Sequence, residues 1–280
     1  MDVDLNSLKL VAKGKVKDIY EWGPKELLFV FSDRVSAYDV ILPSLIPRKG
    51  EVLSAFASYF FSTLSLPNHM VQRVDRNKMI VKKLQMIRME CIVRGYMYGS
   101  LFERYKVNPM GLPSGLKRAE ILGEPMFDPT TKSDKDVPIT KAEAVKTVVT
   151  NEEYEFLREE SLGLYRELSQ HSEKADFIMA DVKIEFGKDD DGRIFLADSI
   201  GPDEFRLWPR AKYQIGSLQE SFDKQPVRDW LSSIGYKTKL DNALKIGSPV
   251  PEPPTLPQEL IALVSGRYVE AYQRITGLTL

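Results

Sequence analysis

The stretch Asp181-Val182-Lys183-Ile184-Glu185-Phe186 alternates charged and apolar residues. In a β-strand a period of two sets Asp181, Lys183 and Glu185 on one face. Asp189-Asp190-Asp191-Gly192 has the composition of a tight turn, so the returning stretch 193–199 forms a hairpin with it and carries Asp198. Two carboxylates on paired strands, Glu185 and Asp198, can hold Mg2+ against phosphate oxygens, because this ion takes one or two carboxylates and completes its shell with phosphate and water. Lys183 between them touches the phosphates or balances the acids. The competing reading is a solvated antiparallel face laced by cross-strand ion pairs. So much charge beside so regular an apolar pattern favours the first.

Five other groups can carry chemistry. Lys13-Gly14-Lys15-Val16-Lys17-Asp18 alternates lysines around a glycine. Alternate lysines share a face and glycine lets a backbone approach a polyphosphate, so Lys15 and Lys17 can cover the phosphates of ATP. A lysine-protected hairpin edge has the same look, and neither a P-loop nor a GxGxxG pattern is present. Residues 80–86, with Lys82 and Met86, offer an apolar strand and a flexible end for adenine, or an ordinary core strand with lysines outside. In Glu90-Cys91-Ile92-Val93-Arg94-Gly95-Tyr96, Arg94 interrupts an apolar strand, where a guanidinium needs an anion. That anion is a substrate carboxylate or phosphate, with Ser100 at the N-cap of a following helix 101–106, or else an internal glutamate. The hydroxyls, lysines and acids of the loop 130–136, including Lys132 and Asp136, suit a zwitterionic amino acid or a plain exposed turn. Arg206 follows the acid-bearing hairpin and can meet a phosphate; Trp208 reads as packing. His69 reads as a loop residue and His171 as a helix-end residue.

Composition limits what these groups can serve. The chain has 280 residues, 43% hydrophobic and 28% charged, with formal net charge -1. That is ordinary globular usage, and no single-sign field points to nucleic acid or a membrane surface. One cysteine, Cys91, and two histidines argue against disulfides and a zinc site. Met1-Asp2-Val3-Asp4 is acidic and no apolar run reaches membrane-spanning length, so a cytoplasmic protein is expected.

The elements that must position these residues divide into two lobes. Strands are expected over 8–13, 15–22, 27–31, 79–84 and 88–96, with a helix over 51–64. Residues 108–136 lack periodicity and read as a long functional loop. Thr140-Lys141-Ala142-Glu143 and Thr150-Asn151-Glu152-Glu153 match the capping box, which starts a helix at each. The second runs to about His171. Pro226 opens a helix that Gly235 ends, 248–257 is a proline-rich strap, and a last helix spans 256–276. The class is α+β, with the cleft between lobes as the natural site.

The stretches GKVKDIY (14–20), SDRVSAYDVILPSLIPRKG (32–50), ECIVRGYMYGS (90–100), ADVKIEFG (180–187), GPDEFRLWP (201–209) and SFDKQPVRDWL (221–231) closely resemble one family, the phosphoribosylaminoimidazole-succinocarboxamide synthases or SAICAR synthetases. The resemblance implies a small β-rich ATP lobe, 1–86, and a larger α+β lobe, 87–280, with a likeness to kinase and ATP-grasp folds. It implies a reaction in which ATP converts the carboxylate of the imidazole substrate CAIR to an acyl phosphate, which the amine of L-aspartate then displaces. It implies Lys15, Lys17, Lys82, Met86 and Lys183 for the nucleotide and Glu185 and Asp198 for Mg2+. Arg94, Ser100 and Arg206 fall to the phosphoribosyl substrate, and Lys132, Asp136 and Asp181 to the aspartate-side and catalytic group. The chain departs from the family pattern at Ser199, at Glu204 and Phe205, and at Lys135. A small-molecule carboxylate kinase would use the same lysines and acids, and a nucleotide-binding regulator without turnover is a third reading. A homo-oligomer stays open.

Overall fold

Alternation of apolar and polar residues near the N-terminus produces a meander. In the computed structural model, which describes residues 3–133 and 136–280, this meander is a five-stranded antiparallel sheet. Met1, Asp2, Asp134 and Lys135 lie outside the described residues. The strands β1 (Leu10–Lys13), β2 (Lys17–Gly23) and β3 (Glu26–Phe31) follow one another, and β4 (Arg34–Ala37) with β5 (Val40–Leu45) makes a separate hairpin. After the helix α1 (Lys49–Thr63) come β6 (Met70–Asp75) and β7 (Lys78–Lys82), giving the order β1-β2-β3-β7-β6. The helix packs Val52, Leu53, Phe56 and Phe60 into the core. It starts two residues earlier than the sequence suggests, and Arg48 before it takes a left-handed φ of 65°.

The chain then passes into a seven-stranded sheet through β8 (Gln85–Met86) and β9 (Met89–Tyr96). Next come α2 (Gly99–Val107), β10 (Ile121–Phe127), β11 (Thr130–Thr131), α3 (Lys141–Thr147) and α4 (Asn151–Lys174). Residues 108–136 were expected to be a loop. They contain β10 and β11, both on β9; Gly123, Pro125 and a register shift hide the alternation there. Both capping boxes are formed, at Thr140 and Thr150.

The organising element is β12 (Phe177–Lys188), a strand of 12 residues. It pairs with β9 on one side and β14 (Phe205–Pro209) on the other, then with β8 and β13 (Ile194–Ala197) toward its C-terminal end. Its apolar residues Ala180, Val182, Ile184 and Phe186 are fully buried. Helix α4 covers the sheet with Leu157, Leu164, Tyr165 and Leu168. Tyr165 donates its hydroxyl to the Met179 carbonyl at 2.8 Å. This approach is so close that a Cβ at Gly95 would stand 1.8 Å from the Tyr165 oxygen.

Beyond β14 lie α5 (Gln225–Ser233), α6 (Tyr236–Ile246) and α7 (Gln258–Thr276). Helix α6 lies between Gly235 and Gly247, both at left-handed φ, and is absent from the sequence reading. Helix α7 returns to α1 and buries Val264, Tyr268, Tyr272 and Ile275, with Leu263 exposed.

Gly95→Ala is expected to destabilise the protein by about 1–3 kcal/mol through overpacking. Urea unfolding measures it, and Tyr165→Phe in the same chain should recover part of the loss by removing the nearest atom.

Candidate active site

Three strands place three charges in a row. Asp181 is in register with Arg94 on β9 and with Arg206 on β14. Opposed residues on adjacent strands share a face, so the carboxylate falls between two guanidiniums. Asp181 accepts from Arg94 Nη1 at 3.4 Å and from Arg206 Nη1. Arg94 also donates to Asp128 at 2.5 Å and to the Ser100 hydroxyl at 3.0 Å. Ser100 is in the first turn of α2, whose N-cap is Tyr98, so it serves as a partner of Arg94 and not as the cap expected of it. Arg206 lies over the Tyr98 ring, and a Cβ at Gly99 (φ +57°) would stand 2.7 Å from its Nη2.

Two positions along β12 the side chains are again polar. Lys183 binds Glu90 at 3.1 Å and Glu185, and Lys132 from the loop after β11 also binds Glu185. Burial lowers the basicity of Lys183, but the Glu185, Glu90 and Asp198 carboxylates outweigh it and raise its pKa well above the usual lysine value. Asp136 enters the same field. Partial burial, with Glu90 and Asp39, pushes its carboxyl up to about 6 against the pull of Lys183 and Lys15.

Asp198 follows the last residue of β13, where Ala197 is opposite Glu185. Its φ is +64°, a left-handed conformation that a side chain rarely takes outside turns or functional sites. Lys17 crosses from the five-stranded sheet to bind the Asp198 carboxylate, with Ser199 Oγ at 3.4 Å and the Phe29 ring under its ammonium at 4.7 Å. Burial would raise the Asp198 carboxyl; Lys17, Lys183 and Lys132 overcome that and hold it well below the usual carboxylate range. Lys15 pairs with Asp39, itself at φ +64°. Lys82 lies over the Phe195 ring at 4.5 Å, and Met86 is opposite Gly187. Thus Lys17, Lys132, Asp136, Lys183, Glu185 and Asp198 converge, Arg94, Ser100, Asp181 and Arg206 form an adjoining group on the same strand, and Lys82 and Met86 flank β12 and β13.

Five residues of this region have no assigned role in the sequence reading. Glu90 is the partner of Lys183, and Asp128 binds Arg94 and Arg104. Arg228 on α5 has no ion pair among the described residues; burial and the neighbouring Arg206 weaken its hold on its proton, opposed by Asp223 and Asp181. It lies in the stretch SFDKQPVRDWL, and only the fold brings it beside Arg206. Asp203 is a buried node that receives Lys49 at 2.8 Å, Lys224 at 3.1 Å and the Tyr268 hydroxyl at 2.8 Å. The fifth, Glu204, has a buried Oε2 with no hydrogen-bond partner among the described residues. Burial first, then Asp203, pushes its carboxyl up to about 8.

A face of lysines and paired carboxylates suits a nucleoside triphosphate, and two arginines beside it suit a second anion. Comparison with known proteins makes the reaction specific. Residues 10–243 match the SAICAR synthetase family. The phosphoribosylaminoimidazole-succinocarboxamide synthase of Nitrosopumilus maritimus is 46% identical over 276 residues, 98% of this chain and 100% of that protein. That of Corynebacterium glutamicum is 38% identical over 294 residues, 99% and 96% of the two chains. A SAICAR synthase from Saccharomyces cerevisiae, solved with SAICAR, superposes with a TM-score of 0.85 at 33% identity, covering 100% of this chain and 99% of that one. The chain belongs to the SAICAR synthetase family. It is an ATP-dependent ligase that condenses L-aspartate with CAIR, 5-amino-1-(5-phosphoribosyl)imidazole-4-carboxylate, in purine biosynthesis, and a kinase that stops before ligation is not favoured. No helix is long and apolar enough to cross a membrane among the described residues.

Glu204 gives this site a pH signature. An unfolded chain releases that proton near pH 4.5, the native protein near 8. Between them the native state binds more protons, so stability is full below pH 4.5 and is lost as pH rises through 8. Glu204→Gln is expected to flatten that fall. Urea midpoints at pH 5.5 and 8.5 (about three pH units apart) should differ less in the variant than in the parent protein.

Proposed function

We propose that Glu185 and Asp198 hold Mg2+ with the phosphates of ATP, and that Lys15, Lys17 and Lys183 neutralise those phosphates. The supporting observation is the placement of Glu185 and Asp198 at the adjoining ends of β12 and β13, each already bound to lysine. The donor set fits the ion: Mg2+ needs few protein ligands when phosphate and water complete its shell. Among the described residues no group of three or more candidate ligands encloses a metal by itself, which is consistent with a site completed by the nucleotide. Bound there, Mg2+ offsets the charge that develops on the transferring phosphoryl group. Lys82 and Met86 take the adenine side.

Arg94, Arg206 and Ser100 receive the phosphoribosyl substrate, and Arg228, which carries a charge without an ion pair among the described residues, joins them. Each cation now neutralised by a protein carboxylate exchanges that partner for a substrate anion, and Arg228 gains one. Lys132 and Asp136 receive L-aspartate, through its carboxylates and ammonium respectively. The γ-phosphoryl group passes to the imidazole carboxylate, forming an acyl phosphate and ADP. The aspartate ammonium first gives one proton to solvent; the resulting amine attacks that carbon, the C–O bond to phosphate breaks, the nitrogen gives up a second proton, and an amide and inorganic phosphate result. When phosphate takes up Arg94 and Arg206, Asp181 is released from them and can accept a proton of the attacking amine.

The test follows ADP and the imidazole product with Mg-ATP and CAIR, with and without L-aspartate. ADP in step with amide, and dependent on aspartate, is the expected result; equal ADP formation without aspartate overturns the assignment of Lys132 and Asp136. Glu185→Gln is expected to reduce turnover by at least about a hundredfold, the scale of losing one electrostatic contact in phosphoryl transfer, with the fold intact by circular dichroism. Full activity at saturating Mg2+ sinks that role. Arg94→Ala is expected to raise KM for CAIR far more than KM for ATP; an equal rise in both means that Arg94 holds structure.

A further inference from the structure

His69 lies outside every role considered so far, yet it touches the cleft at three points. Its backbone N–H donates to the Leu196 carbonyl on β13 at 3.0 Å, and its carbonyl accepts from Lys82 N–H on β7 at 2.7 Å. The residue therefore ties the end of β7 to the strand that Asp198 follows. Its ring is 3.2 Å by Nε2 from the Asp198 carbonyl oxygen. A carbonyl only accepts, so Nε2 carries the hydrogen, and the tautomer is set by the partner. The ring is caged edge-on by Phe29 at 5.5 Å and Phe61 at 5.4 Å. Phe29 is also the ring beneath the Lys17 ammonium.

These contacts meet at a strained residue. Asp198 holds φ +64° without being glycine, a state that persists only where the surroundings over-determine it. Its peptide carbonyl points to the imidazole while its carboxylate points to Lys17. We propose that His69 is a positioning residue of the nucleotide–cation site: its Nε2–H fixes the Asp198 carbonyl and thereby the left-handed turn that aims the Asp198 carboxylate. The proposal rests on Asp198 being a cation ligand, as inferred above.

The test compares His69→Met, which keeps an apolar filler between the two phenylalanines, with His69→Gln, whose amide reaches about where Nε2 does. Mn2+ binding in the presence of ADP is read from the electron paramagnetic resonance signal of the free ion, and ADP binding is measured separately in EDTA. His69→Met is expected to weaken Mn2+ about tenfold or more, the scale at which losing a ligand's own hydrogen-bond partner acts. Its ADP affinity in EDTA should be unchanged, and His69→Gln should stay within about threefold of the parent on the same scale. Two results overturn the proposal: unchanged Mn2+ affinity in His69→Met, or a loss in His69→Gln as large as in His69→Met, which would assign the effect to packing. Asp198→Asn is the control. If it leaves Mn2+ binding unmoved, the cation role of Asp198 fails, and this inference with it. Should His69→Met not fold, His69→Asn takes its place, since its shorter amide falls short of the carbonyl.

Discussion

A buried carboxylate between two guanidiniums is the interaction on which the register of the larger sheet depends. Asp181 is opposite Arg94 on one neighbouring strand and Arg206 on the other. A slip of one residue in either pairing would turn the partner to the opposite face. It would leave a buried charge unpaired, at a cost of about 3–5 kcal/mol. The register of the sheet and the geometry of the site are therefore one constraint. Gly99 and Tyr98 belong to it as well, because they make room for the Arg206 guanidinium and face it.

The same rule orders the lysines and acids around Lys183 and Glu185. Lys17 with Asp198, Lys132 with Glu185, and Lys183 with Glu90 and Glu185 leave few charges alone. A chain of net charge -1 thus contains a dense charge cluster that overall composition does not reveal. Asp198 and Asp39, each paired with a lysine and each at a positive φ, carry backbone strain at the places where the charges meet.

Legibility in the sequence followed the range of the forces involved. The alternation in 181–186, the capping boxes at Thr140 and Thr150 and the turn at 189–192 depend on neighbours within a few residues, and each formed as read. Short sheet elements did not announce themselves. β11 has two residues and β14 has five, and both exist because a longer strand offers them hydrogen bonds. His69 looked like a loop residue because nothing local marks it as buried; its cage comes from residues 29 and 61 and its acceptor from 198.

By itself the sequence determined which chemical groups are present, which face of β12 they share and where α3 and α4 begin. It also carried enough ordered motifs to indicate the family. Only the tertiary structure decided which cation meets which acid. Lys17 and Asp198 are 181 positions apart, and Arg94, Asp181 and Arg206 become a row only when three strands align. Periodicity specifies the direction of a side chain relative to its own backbone. The partner it finds, and so its charge state and its task, depends on sheet register and on two sheets closing against each other, to which residues from the whole chain contribute.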